Sequence, residues 1–307
     1  MAIGGNQGKI GLPRLPDSGI PVAGSVSNLE EPSFGTRRLP ELTVRSSEFG
    51  WGYVSSSRGD TFIHALRVRI AVGSQHNEIP NQLSGFGRAF DAWFSIVRDW
   101  ICAWSGQVRD RDRHRDECHI HATIRNKRQA GLYGSGVTLG SVLVVGERAA
   151  TRDEVIAAFD CASANYRLPL HHTLLQRAQS DAMVGNYRRA VIDACTATEV
   201  SLGNAVRRTL KSNSVPDETA KNTLRQVTGV VELFRLFVIL GARPSVSEGR
   251  VINQLAQPRN EAAHAGDSST LERARNAIET AGRILAAADG VPTTVQARRS
   301  ARSGIFG

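Results

Sequence analysis

Late in the chain, residues 256–266 read Ala-Gln-Pro-Arg-Asn-Glu-Ala-Ala-His-Ala-Gly. Two of these residues could do chemistry on a phosphodiester. Arg259 is a permanent cation whose planar fork fits phosphate. His264 can give or take a proton near neutral pH. Cleaving RNA without a metal needs both kinds of group, one for the charge on phosphorus and one for the moving proton. Asn260 adds a neutral donor and acceptor beside them. Spacing alone says little, because Arg58/His64, Arg69/His76, Arg109/His114, Arg113/His119, Arg115/His121 and Arg167/His172 are spaced much alike. Context sets Arg259/His264 apart: a polar Asn260, small residues that permit close helix packing, and two long amphipathic segments upstream.

Those segments have to position the pair. Leu174, Leu175, Ala178, Ala182 and Met183 form one helical stripe, which stops at Gly185. Tyr187 opens a second stripe through Ala190, Val191, Ala194, Cys195, Ala197, Thr198, Val200, Leu202 and Val206, ending near Leu210. The short Gly185-Asn186 link favours an antiparallel pair. Glu199 lies within the apolar run, where a buried acid is costly unless paired; it either faces solvent or supports a nearby cation. A third helical region is expected from Pro216 to Leu240, broken by residues 241–247. A short helix from Glu248 to Leu255 then leads to Pro258, which suits a first helical turn because its missing N–H costs nothing there. Residues 267–270, Asp-Ser-Ser-Thr, cap a last helix over 271–288, and residues 290–307 read as a flexible basic tail.

Leu174 to Glu199, with its Gly185-Asn186-Tyr187-Arg188-Arg189-Ala190 link and alanine-rich run, is followed about sixty residues later by Arg259-Asn260-Glu261-Ala262-Ala263-His264. Over about residues 168–289 this order resembles the HEPN family, small up-and-down helical bundles of prokaryotic defence and toxin systems and of some eukaryotic ribonucleases. The resemblance implies a metal-independent endoribonuclease, a hydrolase of antiviral defence or toxin type that uses no cofactor. It gives His264 the acid/base role on the 2′-hydroxyl or the leaving oxygen. It gives Arg259 the scissile phosphate, and Asn260 the task of orienting the histidine or holding phosphate. It also implies RNA as partner, a homodimer whose two motifs face one cleft, and an antitoxin or trigger protein. Inactive members of the family imply an alternative, a non-catalytic HEPN-like binding or dimerisation module acting as a regulator or assembly subunit. There Arg259, Glu261 and His264 would be a structural polar cluster, with Glu199 as its partner. On an ideal helix Arg259 and His264 stand about 140° apart, whereas Asn260 and His264 share a face.

The first half is of a different kind. Residues 1–38, rich in Gly, Pro and Ser, read as a disordered arm. Residues 39–166 read as an α+β domain, so the expected fold class is α+β followed by an all-α up-and-down bundle over 167–289. Leu66, Val68, Ile70 and Val72 alternate with polar residues as a strand with one wet face. Further strands are expected at 42–44, 51–54 and 135–145. Phe90, Trp93, Phe94, Val97, Trp100, Ile101 and Trp104 recur at helical spacing over 85–105, and this aromatic face is expected to pack on the sheet. Thr151-Arg-Asp-Glu154 is a capping box opening a helix over 151–165. Residues 109–117 are a charge run that nearly cancels. His119 and His121, two apart beside Cys118, would share a strand face that zinc can use. No second ligand pair stands nearby, so no metal is expected. The domain shows no recognisable chemistry and is expected to act as a sensor or targeting module.

Composition bounds these readings. The 307 residues carry a net charge of +9, unevenly divided. Residues 1–166 hold 19 basic against 17 acidic side chains, and residues 167–307 hold 19 against 12. That excess is compatible with a polyanion partner. No run of about 18 apolar residues spans a membrane, and residues 1–9 lack the apolar core of a signal peptide. Four scattered cysteines make no disulfide framework, which together points to the cytoplasm.

Overall fold

The computed structural model describes helix Ile79–Ser105, with side chains from Ala92 onward, together with residues 150–264 and 269–303, the side chains of the former running through Ala263. Ahead of residue 150 it also describes short backbone strand pairings. Gly52–Ser55 runs antiparallel to Thr61–Ile63, and Cys118–Arg125 to Ala130–Val137. Within the stretch expected as a disordered arm, Asn6–Gly11 pairs antiparallel with Arg67–Ile70 and Val26–Asn28 with Gly52–Ser55; the other residues of 1–38, apart from Ala2–Ile3, and the assembly of a sandwich over 39–166 lie outside the described residues. From residue 150 on, every regular element among the described residues is helical.

Helix α1, Ile79–Ser105, buries its aromatic stripe as its periodicity demands, and among the described side chains the stripe packs on helices. Trp93, Val97 and Trp100 pack on Ala158, Cys161 and Ala162 of α2, Arg152–Ser163, and on Ala297 of α10, Thr294–Ser303. Trp100 Nε1 donates to the Tyr166 carbonyl at 2.8 Å, and Trp104 Nε1 to that of Pro292 at 2.7 Å. So the apolar bodies of these two rings are buried or half-buried while their indole N–H groups find carbonyl acceptors. The capping box forms as read: the Glu154 amide donates to Thr151 Oγ1, and the Thr151 amide to Glu154 Oε2. Thr151→Ala is expected to lower stability by about 1 kcal/mol, seen as a lower urea midpoint at unchanged slope.

The bundle is built on α3, Leu170–Met183, and α4, Tyr187–Ser212. Gly185 joins them with φ +88°, a left-handed conformation that glycine adopts without a Cβ penalty. Fully buried Ala190, Ala194 and Ala197 leave room on α4 for close neighbours. On it pack α6, Gly229–Ile239, through Val230, Phe234 and Phe237, and α9, Leu271–Asp289, through Ala274, Ala277, Ala281 and Ile284.

One expectation is refined here and one corrected. The helical region read over 216–240 is two helices, α5, Asp217–Gln226, and α6, because Val227 and Thr228 are extended and Gly229 has φ +83°. The segment read as a flexible tail is helical over Thr294–Ser303 and docks on α2 through buried Ala297 and an Arg298–Asp160 ion pair of 2.7 Å.

Candidate functional site

Ser247 starts the helix that carries the motif, its hydroxyl accepting from the Arg250 amide. The chain then runs helical through α7, Glu248–Val251, a π-helical turn, Ile252–Ala256, and α8, Gln257–His264. Pro258 therefore does not open a helix, as its type suggested; it sits inside one. The π turn supplies a physical reason. Proline lacks the N–H that bonds four residues back, and its ring crowds the carbonyl there. In the turn just ahead of it the Gln257 amide reaches back to the Ile252 carbonyl, so the helix is already widened where the ring arrives. Single π turns recur at functional sites. This one is tied to α9, since Gln254 Oε1 accepts from Thr280 Oγ1 at 2.5 Å and from Arg250 Nε at 2.6 Å.

Arg259 is half-buried and Asn260 exposed. Arg259 Nη1 donates to Asn260 Oδ1 at 3.3 Å, which draws the guanidinium toward the exposed face of α8. Position 264 is one helical turn beyond Asn260 on that same face. The side chain of His264, and residues 265–268, lie outside the described residues. On the other side, Arg259 meets α4. Burial first, and the Glu199 charge second, push the Cys195 thiol up to about 12, while the Arg259 charge works against them. Half-buried Glu199 and Arg259 thus share one neighbourhood around a buried thiol. Glu261 has a different partner: its carboxylate pairs with Arg273 Nη1 of α9 at 2.7 Å, in solvent.

One cation of the neighbourhood was not singled out by spacing. Arg188, in the first turn of α4, donates from Nε to the Ala262 carbonyl at 2.6 Å. With Arg188 at Ala262 and Cys195 near Arg259, α4 and α8 run in opposite senses. The sequence signal for Arg188 is faint, because 74 residues separate the partners.

A second polar group also went unread. His171 and His172, at the start of α3, are 1% and 5% exposed, with ring centroids 4.2 Å apart. His171 Nε2 stands 3.4 Å from Asp289 Oδ2 at the end of α9, and Arg208 Nη1 of α4 pairs with the same oxygen at 3.0 Å. Burial holds both imidazoles below their usual range, against the pull of Asp289.

The cysteines offer no nucleophile among the described residues. Cys102, Cys161 and Cys195 are buried and in no disulfide, and burial, joined by the Asp160 charge, pushes the Cys161 thiol up to about 12. The side chains of Cys118, His119 and His121 lie outside the described residues; within those described, no group of three or more His, Cys, Asp or Glu is arranged to hold a metal. No described helix is long and apolar enough to cross a membrane.

Comparison with known proteins gives no relative: no family model matches the chain, and no curated protein or solved structure does.

Proposed function

We propose that residues 168–289 form a HEPN-like, metal-independent endoribonuclease module of a prokaryotic defence or toxin type. The observation that carries this reading is the Arg259 Nη1 to Asn260 Oδ1 hydrogen bond, which turns a permanent cation toward the exposed face on which position 264 falls. In this reading the 2′-oxygen of the substrate attacks the adjacent phosphorus and the P–O5′ bond breaks. A 2′,3′-cyclic phosphate and a 5′-hydroxyl result. His264 takes the 2′-proton or protonates the leaving oxygen, and two motifs facing one cleft in a homodimer supply both roles. Arg259 bears the charge gathering on the phosphate oxygens, where a fixed cation is worth most. Asn260 holds the guanidinium or the phosphate. The residues before the bundle serve as sensor or targeting module, the regulatory partner is an antitoxin that restrains the enzyme or a trigger protein that activates it, and the setting is cytoplasmic.

The test is total RNA incubated with the full chain in EDTA. Cleavage is expected, and Arg259→Ala should slow it about tenfold or more. RNA left intact by the wild type, or a variant as fast as the wild type, overturns the reading.

A second reading has its own observation. Glu199 and Arg259 act with opposite sign on the buried Cys195 thiol, a neighbourhood that a structural cluster would also use. In that case the bundle is a non-catalytic binding or dimerisation module. Arg259→Ala then lowers the melting temperature or shifts the sedimentation coefficient, and no cleavage is seen with either protein.

A further inference from the structure

We infer that Arg188 is a second phosphate-binding residue of this site, holding an RNA backbone phosphate beside the one assigned to Arg259; the inference rests on the ribonuclease reading above. In an α-helix the carbonyl of residue 262 points along the axis toward residue 266, where it would accept the next backbone N–H. Arg188 Nε takes that carbonyl at 2.6 Å, so its guanidinium stands at the C-terminal end of α8, level with the turn that contains position 264. The bond satisfies one of the carbonyls that a helix end leaves open. It uses only Nε. The two terminal amino groups of the guanidinium have no acceptor among the described residues, and the side chain is exposed. They form a planar fork suited to two oxygens of one phosphate. Adjacent Arg189 is placed differently, its Nε lying 3.5 Å from Asp181. Capping therefore accounts for one N–H of Arg188, and a polyanion accounts for the fork held at a fixed place near the motif. Arg259 reaches the same face of α8 from within the helix, and Arg188 reaches its end from α4. A strand crossing this face would meet two cations fixed by two different helices.

The experiment measures binding of a labelled 2′-O-methyl RNA oligonucleotide, which lacks the attacking hydroxyl, to the full chain in EDTA across a series of salt concentrations. Arg188→Ala is expected to weaken binding about tenfold for every sequence tried, and to reduce the slope of log affinity against log salt by about 0.7. Arg188→Gln, which keeps a donor for the Ala262 carbonyl but no charge, should show the same loss with a wild-type melting temperature. In cleavage of unmodified RNA, KM rises while kcat holds. A lower melting temperature for Arg188→Ala with affinity and salt slope unchanged would reduce Arg188 to a helix cap and overturn the inference, while leaving the ribonuclease reading intact if the wild type still cleaves. A wild type that neither binds nor cleaves overturns both.

Discussion

His264→Ala is expected to slow RNA cleavage in EDTA by about 10²–10⁴-fold, with the melting temperature unchanged. That range is what a positioned proton donor or acceptor contributes when it is removed from an otherwise intact site. The effect should exceed that of Arg259→Ala, because the charge on phosphate is shared. Asn260 stands beside Arg259 on the same face of α8, so the loss of one leaves the other in place. No second histidine stands in α8 or in the first turn of α4 to take over the proton. A rate that depends on an imidazole as proton donor or acceptor should vary with pH, and that dependence should vanish from any residual activity of the variant. Cleavage that survives in His264→Ala at the wild-type rate, with the same pH profile, would assign the activity to another group or to a contaminant.

How much of this was legible in the chain depends on how far apart the interacting residues lie. The Thr151/Glu154 box and the Gly185 stop are local, and both stand as read. The alanine-rich face of α4 was legible because burial follows a period of 3.6 residues. The tryptophan face of α1 was legible as buried, but its partners were not. Helix α10 contributes Ala297 from nearly two hundred residues away, and a short segment carrying Arg298, Arg299 and Arg302 reads as a solvated tail until that partner is known. The split between α5 and α6 was hidden by an apolar period that continues across Val227 while the backbone does not. Pro258 carried two meanings, first turn or interior kink, and only the π turn before it decides between them. At the candidate site, the Arg259–Asn260 hydrogen bond joins neighbours in sequence. Arg188 and the Cys195–Glu199 side of the neighbourhood needed the crossing of α4 over α8.

Lowering the pH from 7 to 5 is expected to cost the bundle about 2 kcal/mol of stability from buried His172 alone. Burial, then the neighbouring His171 charge, bring His172 down to about 4, against Asp289 pulling it up. Burial also lowers His171, with Asp289 opposing and the Arg208 charge adding to the fall. These are the charged groups that meet at this junction: two imidazoles on α3, a guanidinium on α4 and a carboxylate on α9. Above pH 6.5 both folded and unfolded chains hold neutral imidazoles, and the stability is fully present. As the pH falls through 6.5 the unfolded chain takes up protons that the folded chain refuses. The gap widens until His172 titrates in the folded state at about 4, by which point about 3 kcal/mol is lost. The window matters, because ordinary carboxylates remain ionised between pH 6.5 and 5 and leave the histidines to dominate the slope. Urea midpoints measured at half-unit steps should therefore drop steadily from pH 6.5 downward. His172→Phe, which keeps a ring of similar size without the titrating nitrogens, should flatten that slope. A wild-type midpoint that does not move between pH 6.5 and 5 would mean that water or a proton reaches these rings in the folded chain, and that the α3–α9 junction is open.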